Sequence, residues 1–366
     1  MQTTAKAPIN GRQIAFFAAF VLPMLKITEV PSLLASFAQG DLLLPALLHF
    51  ILQTGLLCAL LYCASRSEKT LAQRLKEKLG KWRVVFYLLY AVYFLFAAVL
   101  PLLDLEKFVY AAFYDTAPTL FSFAFFFLFS AFLCVKGIKS IGRLADLCLF
   151  LFVLPFFALL LASLAEADFN SLFPLFEKPF GSSFDGFFYT LPHFSDTALL
   201  LPLILHLRFE KKDSVKITAG YLLGALCTLS FLAVFYAVYS TIAARQHYAF
   251  SKIAQYFPAL TVIGRVDLLL VYVLCIVLFF ATAAPLFFSV DLIAEVLPKH
   301  NKLVLSALFN LGAFVFTLFC NKYYDRIYAF FGSYLPPLFI FFNLLPLALL
   351  LLSGRKKSPN KEKLYA

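Results

Sequence analysis

A chain of 366 residues that is 62% hydrophobic and only 14% charged, with a mean hydropathy of +0.87, cannot cover itself with polar surface, which excludes a soluble globular domain. The formal charge of +11 would suit a nucleic-acid binder. The Lys and Arg residues, however, lie in short segments between apolar runs, leaving no room for such a module and no nucleic-acid partner.

The expected fold is therefore an all-α membrane protein, because in lipid a helix satisfies its own backbone polar groups. The polar start, residues 1–13, leads into an apolar run without a small-residue cleavage site, so it is expected as a cytoplasmic N-terminus and not a removable signal. A span takes about 20 apolar residues, and polar or Pro/Gly punctuation divides the chain into ten such units. They cover 14–38, 41–64, 84–104, 117–135, 144–165, 186–207, 217–243, 263–286 with a continuation to 297, 303–321 and 327–352.

Alternate connections carry unequal positive charge. With the N-terminus inside, 23 of the 31 Lys and Arg fall in cytoplasmic segments and 6 in outer ones, which orients both termini to the cytoplasm. The connection 65–83 is basic and helix-compatible, with Trp82 as an interfacial anchor, and reads as a cytoplasmic amphipathic helix. Two five-helix halves, 14–165 and 186–352, flank an extracytoplasmic connection at 166–185, and a basic tail closes the chain at 353–366. An odd number of helices per half places the halves in opposite orientations, as an inverted repeat requires.

Two spans are punctuated where hydrocarbon should be continuous. In the first, Pro23 and Pro31 bracket Lys26, Thr28 and Glu29; in the sixth, Pro192 and Pro202 bracket His193, Ser195 and Asp196. Proline removes a helical hydrogen bond and disfavours helix just before it, so both spans are expected to break near mid-membrane. Paired broken helices at corresponding positions of two halves point to a ligand site between them. Two readings stay open for the charges. Lys26 and Glu29, three residues apart, can neutralise one another or meet a ligand, and His193 with Asp196 can be a local hydrogen bond or a proton relay.

Tyr93, Cys275 and Thr282 are candidate cavity-lining positions by depth, with packing as the alternative. Asp104, Glu106 and Asp115 read as solvated charges at the outer end of the third span, Arg265 and Asp267 as outer interface residues, and Asp291 and Glu295 as a cytoplasmic continuation beyond Pro285. The seven cysteines form no CxxC pair or Cys/His cluster, so neither a disulfide framework nor a metal is expected. Walker A, HExxH and GxSxG sequences are absent, and an enzyme or a cofactor is not expected.

Several stretches occur together in a familiar order: GRQIAFFAAFVLP, LGKW before a Tyr-rich span, KGIKSIGRLADLCLF, DFNSLFPLFEKPF and YFPALTVIGRVDLLLVYVLCIVLFF. On these the chain resembles the spore-germination permeases, the B-subunits of GerA-type germinant receptors in the amino acid–polyamine–organocation transporter superfamily. The resemblance implies a LeuT-like 5+5 inverted repeat, a small ligand such as an amino acid between helices one, three, six and eight, and residence in an inner spore membrane with A-type and lipoprotein C-type subunits. Proton- or Na⁺-coupled transport of such solutes is the alternative function. One departure stands out, since PMLKITEVP lacks the glycine-rich break that many amino-acid permeases carry in helix one.

Overall fold

A computed structural model describes residues 9–66, 69–113, 119–173, 176, 179–210, 212–255, 266–297, 300–324, 326–327 and 340–348. They form helices and turns, and no strand occurs among them. Arg265, Asp115, Pro174, Glu177, Lys178 and the basic tail lie outside the described residues.

The first span is two helices, α1 (Gly11–Met24) and α2 (Val30–Ala38), with a π-helical turn, Phe17–Val21, inside α1. The chain then runs through α3 (Leu43–Ser65), α4 (Leu71–Leu79), α5 (Arg83–Phe113), α6 (Thr119–Lys136) and α7 (Ile138–Ser163). The sixth span is again divided, into α8 (Phe180–Thr190) and α9 (Asp196–Leu205). There follow α10 (Asp213–Tyr239), the short α11 (Ala249–Gln255), α12 (Val266–Val296), α13 (Lys302–Lys322) and α14 (340–348). Among the described residues six helices are long and apolar enough to cross a membrane.

Their outer faces show the solvent for which they were selected. Phe125, Phe150, Leu154 and Leu161 are 74%, 73%, 72% and 68% exposed, which a hydrocarbon surround makes tolerable. The expected amphipathic helix is α4. Thr70 caps it by accepting from the Gln73 N–H, Leu71 and Leu75 are its buried pair one turn apart, and Lys76 and Lys78 sit where the helix dipole favours positive charge. Trp82 beside it is mostly exposed, as an interfacial anchor should be.

Two close approaches set the interior. Gly220 and Gly224, one turn apart on α10, face α1 so closely that a Cβ at either would overlap the Ala15 or Ala18 carbonyl oxygen, so the two helices meet backbone to backbone. Gly137 has φ +80°, which lets the chain leave α6 and re-enter a helix at once. On the other side α12 packs along α5, and α13 packs on α6. The helix α12 runs unbroken through Pro285 and carries Asp291, whose Oδ2 lies 3.0 Å from His206 Nε2 just past the end of α9.

One reading of the charges is corrected here. Asp104 and Glu106 are not loop charges: α5 continues past them, Glu106 is buried with Asn321 Nδ2 donating to it at 3.2 Å, and the partly buried Asp104 accepts from Tyr324 OH at 2.7 Å. The longer helix carries both carboxylates inward against the chain that follows α13, where uncharged donors replace water.

Candidate helix-break site

The first break begins where Pro23 enters the last turn of α1. The N–H groups of Lys26 and Ile27 still bond the Pro23 carbonyl, at 2.8 and 3.1 Å, and then the helix stops. Pro31 sits in the first turn of α2, where its missing N–H costs nothing. The carbonyls left over at Ile27 and Thr28 accept from the backbone N–H groups of Phe250, at 3.2 Å, and Ala249, at 2.9 Å, which open α11. The connection that follows α10, which the charge count assigns to the outer side, therefore lies on the break and closes its hydrogen bonding in place of water.

In the second break a 3₁₀ turn, Leu191–Phe194, and Ser195 separate α8 from α9. The first N–H groups of α9 lack helical partners, and amide side chains from other spans take them. Gln53 Oε1 of α3 accepts from the Thr197 N–H at 3.1 Å, and Asn343 Oδ1 of α14 accepts from the Ala198 N–H at 3.2 Å.

The two breaks meet in an ion pair. Lys26 Nζ lies 2.6 Å from Asp196 Oδ1, and both side chains are 1% exposed. The lysine also donates to the Leu22 carbonyl at 3.4 Å and sits 5.4 Å from the centre of the Phe194 ring, while Tyr221 OH donates to Asp196 Oδ2 at 2.9 Å. Each charge complements its half-helix, since Lys26 follows the negative C-terminal end of α1 and Asp196 opens α9 at the positive N-terminal end. Phe194 is held in turn by His49, whose ring stacks on it at 4.2 Å and on Phe187 at 4.2 Å, with Nε2 3.0 Å from Thr190 Oγ1.

Both local pairings considered from spacing give way to this arrangement. Lys26 pairs with Asp196, 170 positions away, and not with Glu29; Glu29 Oε2 lies 3.1 Å from His247 Nδ1 in the outer connection. The break rotates residues 26 and 29 out of helical register, so the i, i+3 geometry that would join them is lost. The Asp196 oxygens likewise take Lys26 and Tyr221 as donors, and His193 lies half-buried in the 3₁₀ turn.

The remaining candidates divide. Tyr93 of α5 reaches the second break, beside Ser195 and Asp196, and packs with its ring tilted on that of Phe342, 4.5 Å away. Thr28 lines a small space with Asp104, Phe108, Tyr248 and Phe250. Burial, with the Glu29 and Asp104 carboxylates nearby, raises the pKa of the Tyr248 phenol. Thr282 donates to the carbonyls of Leu278 and Phe279 in its own helix, and Cys275 is buried in α12. Sequence reading missed Gln53, His49 and Asn343, although each was visible as a polar residue inside an apolar span. Tyr221 and Phe194 carried no such signal.

A family model described as spore germination protein matches residues 32–324 of this chain. Curated protein sequences give no match. Among solved structures, the inward-facing conformation of Mhp1 superposes with a TM-score of 0.56 at 12% sequence identity, over 92% of this chain and 75% of that one. At that identity the likeness speaks for the fold, which is the LeuT fold of that transporter.

Proposed function

Because the chain belongs to the spore germination protein family and is an integral membrane protein of the LeuT fold, we propose that it is the permease-like subunit of a germinant receptor. It binds a small solute, an amino acid or a relative of one, between the broken helices α1–α2 and α8–α9, and signals by a shift of the halves 14–165 and 186–352 about that site. The observation that carries this reading is the Lys26–Asp196 pair, since two breaks in separate spans converge on one buried, charged point. Lys26, Thr28, Glu29, Tyr93, His193, Ser195 and Asp196 are the proposed ligand-side residues, with Cys275 and Thr282 behind them on α12. In this role the chain resides in an inner spore membrane, with both termini cytoplasmic, beside an A-type and a lipoprotein C-type subunit.

A ligand that binds only the folded chain raises its apparent stability. Thermal unfolding of the detergent-purified protein against amino acids, nucleosides, sugars and inorganic ions should give a saturable shift with one solute, and Asp196→Asn should abolish that shift. A shift that survives Asp196→Asn places the ligand elsewhere. The likeness to a transporter favours a second reading, proton- or Na⁺-coupled uptake of the same solutes. Uptake of that solute by the chain alone in proteoliposomes would favour it over sensing.

A further inference from the structure

The head group of Lys26 has the surroundings of a bound ligand. Its ammonium receives one carboxylate oxygen at 2.6 Å, one main-chain carbonyl at 3.4 Å and the face of an aromatic ring at 5.4 Å. These are the three kinds of partner that recognise a primary ammonium: a charge, a directional acceptor and a π face. Each is fixed independently of the lysine. Asp196 is held by Tyr221 OH through its other oxygen, Leu22 belongs to the last turn of α1, and Phe194 is clamped by the His49 stack. All three residues are 2% exposed or less, so the cradle is dry and its charge is not dispersed into water.

We infer that Asp196, the Leu22 carbonyl and the Phe194 ring form a primary-ammonium site that Lys26 occupies as a tethered stand-in, and that the ligand of this protein enters by placing its own ammonium group there. The inference rests on the reading that the two breaks form the ligand site. Charge balance supports the exchange. A displaced Lys26 needs a carboxylate, and Glu29 lies three residues along the same chain, held in this state by the exposed imidazole of His247. A buried charge left without any partner would oppose binding strongly, whereas this transfer leaves both carboxylates and both ammonium groups paired. It also takes Glu29 from the outer connection that covers the first break, which links occupancy of the site to that cover.

Lys26→Ala removes three methylenes and the ammonium, and n-propylammonium is the fragment it lacks. In the full-length protein in detergent, Lys26→Ala should show a saturable rise in melting temperature with n-propylammonium at millimolar concentration. Tetramethylammonium, n-propanol and propionate should not produce it, and Lys26→Ala/Asp196→Asn should lose it. If Lys26→Ala is recovered folded only when n-propylammonium is present, that selective recovery is the same result. An equal response to n-propanol, a response retained in the double variant, or aggregation of Lys26→Ala with n-propylammonium present overturns the inference. Propionate stabilising the wild-type chain through Lys26 would overturn it too, by making the lysine the ligand's partner. This experiment needs no germinant. A wild-type response to some solute without rescue of Lys26→Ala would sink the ammonium site and leave the sensor standing, and rescue with no solute response would do the reverse.

Discussion

The two helix breaks solve the same problem with different materials. At the first, the loose carbonyls of Ile27 and Thr28 are taken by main-chain N–H groups of the outer connection. At the second, the loose N–H groups of Thr197 and Ala198 are taken by Gln53 and Asn343, side chains rooted in other spans. A connection can withdraw and let water or a ligand replace it, while an amide on a packed helix cannot leave without moving the helix. An opening would therefore begin at the first break and not at the second, with the ion pair between them as the shared element.

The largest effect should come from that shared element. Lys26→Met or Asp196→Asn leaves one buried charge without its partner, which costs about 3–5 kcal/mol, whereas Lys26→Met/Asp196→Asn together should cost clearly less than either alone. A double-mutant cycle on denaturation of the detergent-solubilised chain measures this. Additive losses would mean that the two charges are held by separate partners, and the comparison between the breaks would lose its hinge. Tyr221→Phe acts on one side only. Removing its hydroxyl takes a hydrogen bond from the Asp196 carboxylate and should cost about 1.5–3 kcal/mol without loosening the outer connection. Gln53→Leu strips the acceptor from the Thr197 N–H in a buried site and should cost about 1–3 kcal/mol, read from the same denaturation curves. A Gln53→Leu variant of unchanged stability would show that the second break is not fixed by that amide.

How far the sequence disclosed this arrangement depends on whether an interaction is local. The apolar runs, the amphipathic α4 and the paired prolines are local patterns, and each appears in the structure near its expected place. The boundary at α5 was too short because the charges Asp104 and Glu106 looked like an exit from the membrane, when donors from residues 321 and 324, distant in sequence, neutralise their cost. The pairing of Lys26 with Asp196 was out of reach for the same reason. Spacing proposes neighbours on a continuous helix, and the prolines that mark the site also destroy the continuity on which that spacing depends. Tyr221 could not be told from a packing aromatic, since only the fold carries α10 to Asp196.

The smallest effect belongs to the Glu29–His247 pair, and it tests what holds the cover of the first break. His247 is 68% exposed, so water screens its attraction to the largely buried Glu29, and pairs reached by water are worth about 0–1 kcal/mol. His247→Ala should therefore change stability by no more than that, and added salt should change the wild-type chain just as little. The main-chain bonds from Ala249 and Phe250 remain in the variant, with the Phe250 ring packed 5.3 Å from that of Phe108. Reaction of Thr28→Cys with a membrane-impermeant thiol reagent should accordingly be slow in both backgrounds, with His247→Ala adding little. Fast labelling in the His247→Ala background alone would show that the imidazole, not the backbone, latches the first break. That outcome would turn the outer connection from a passive lid into one governed by the charge on Glu29, the same group to which a displaced Lys26 would turn.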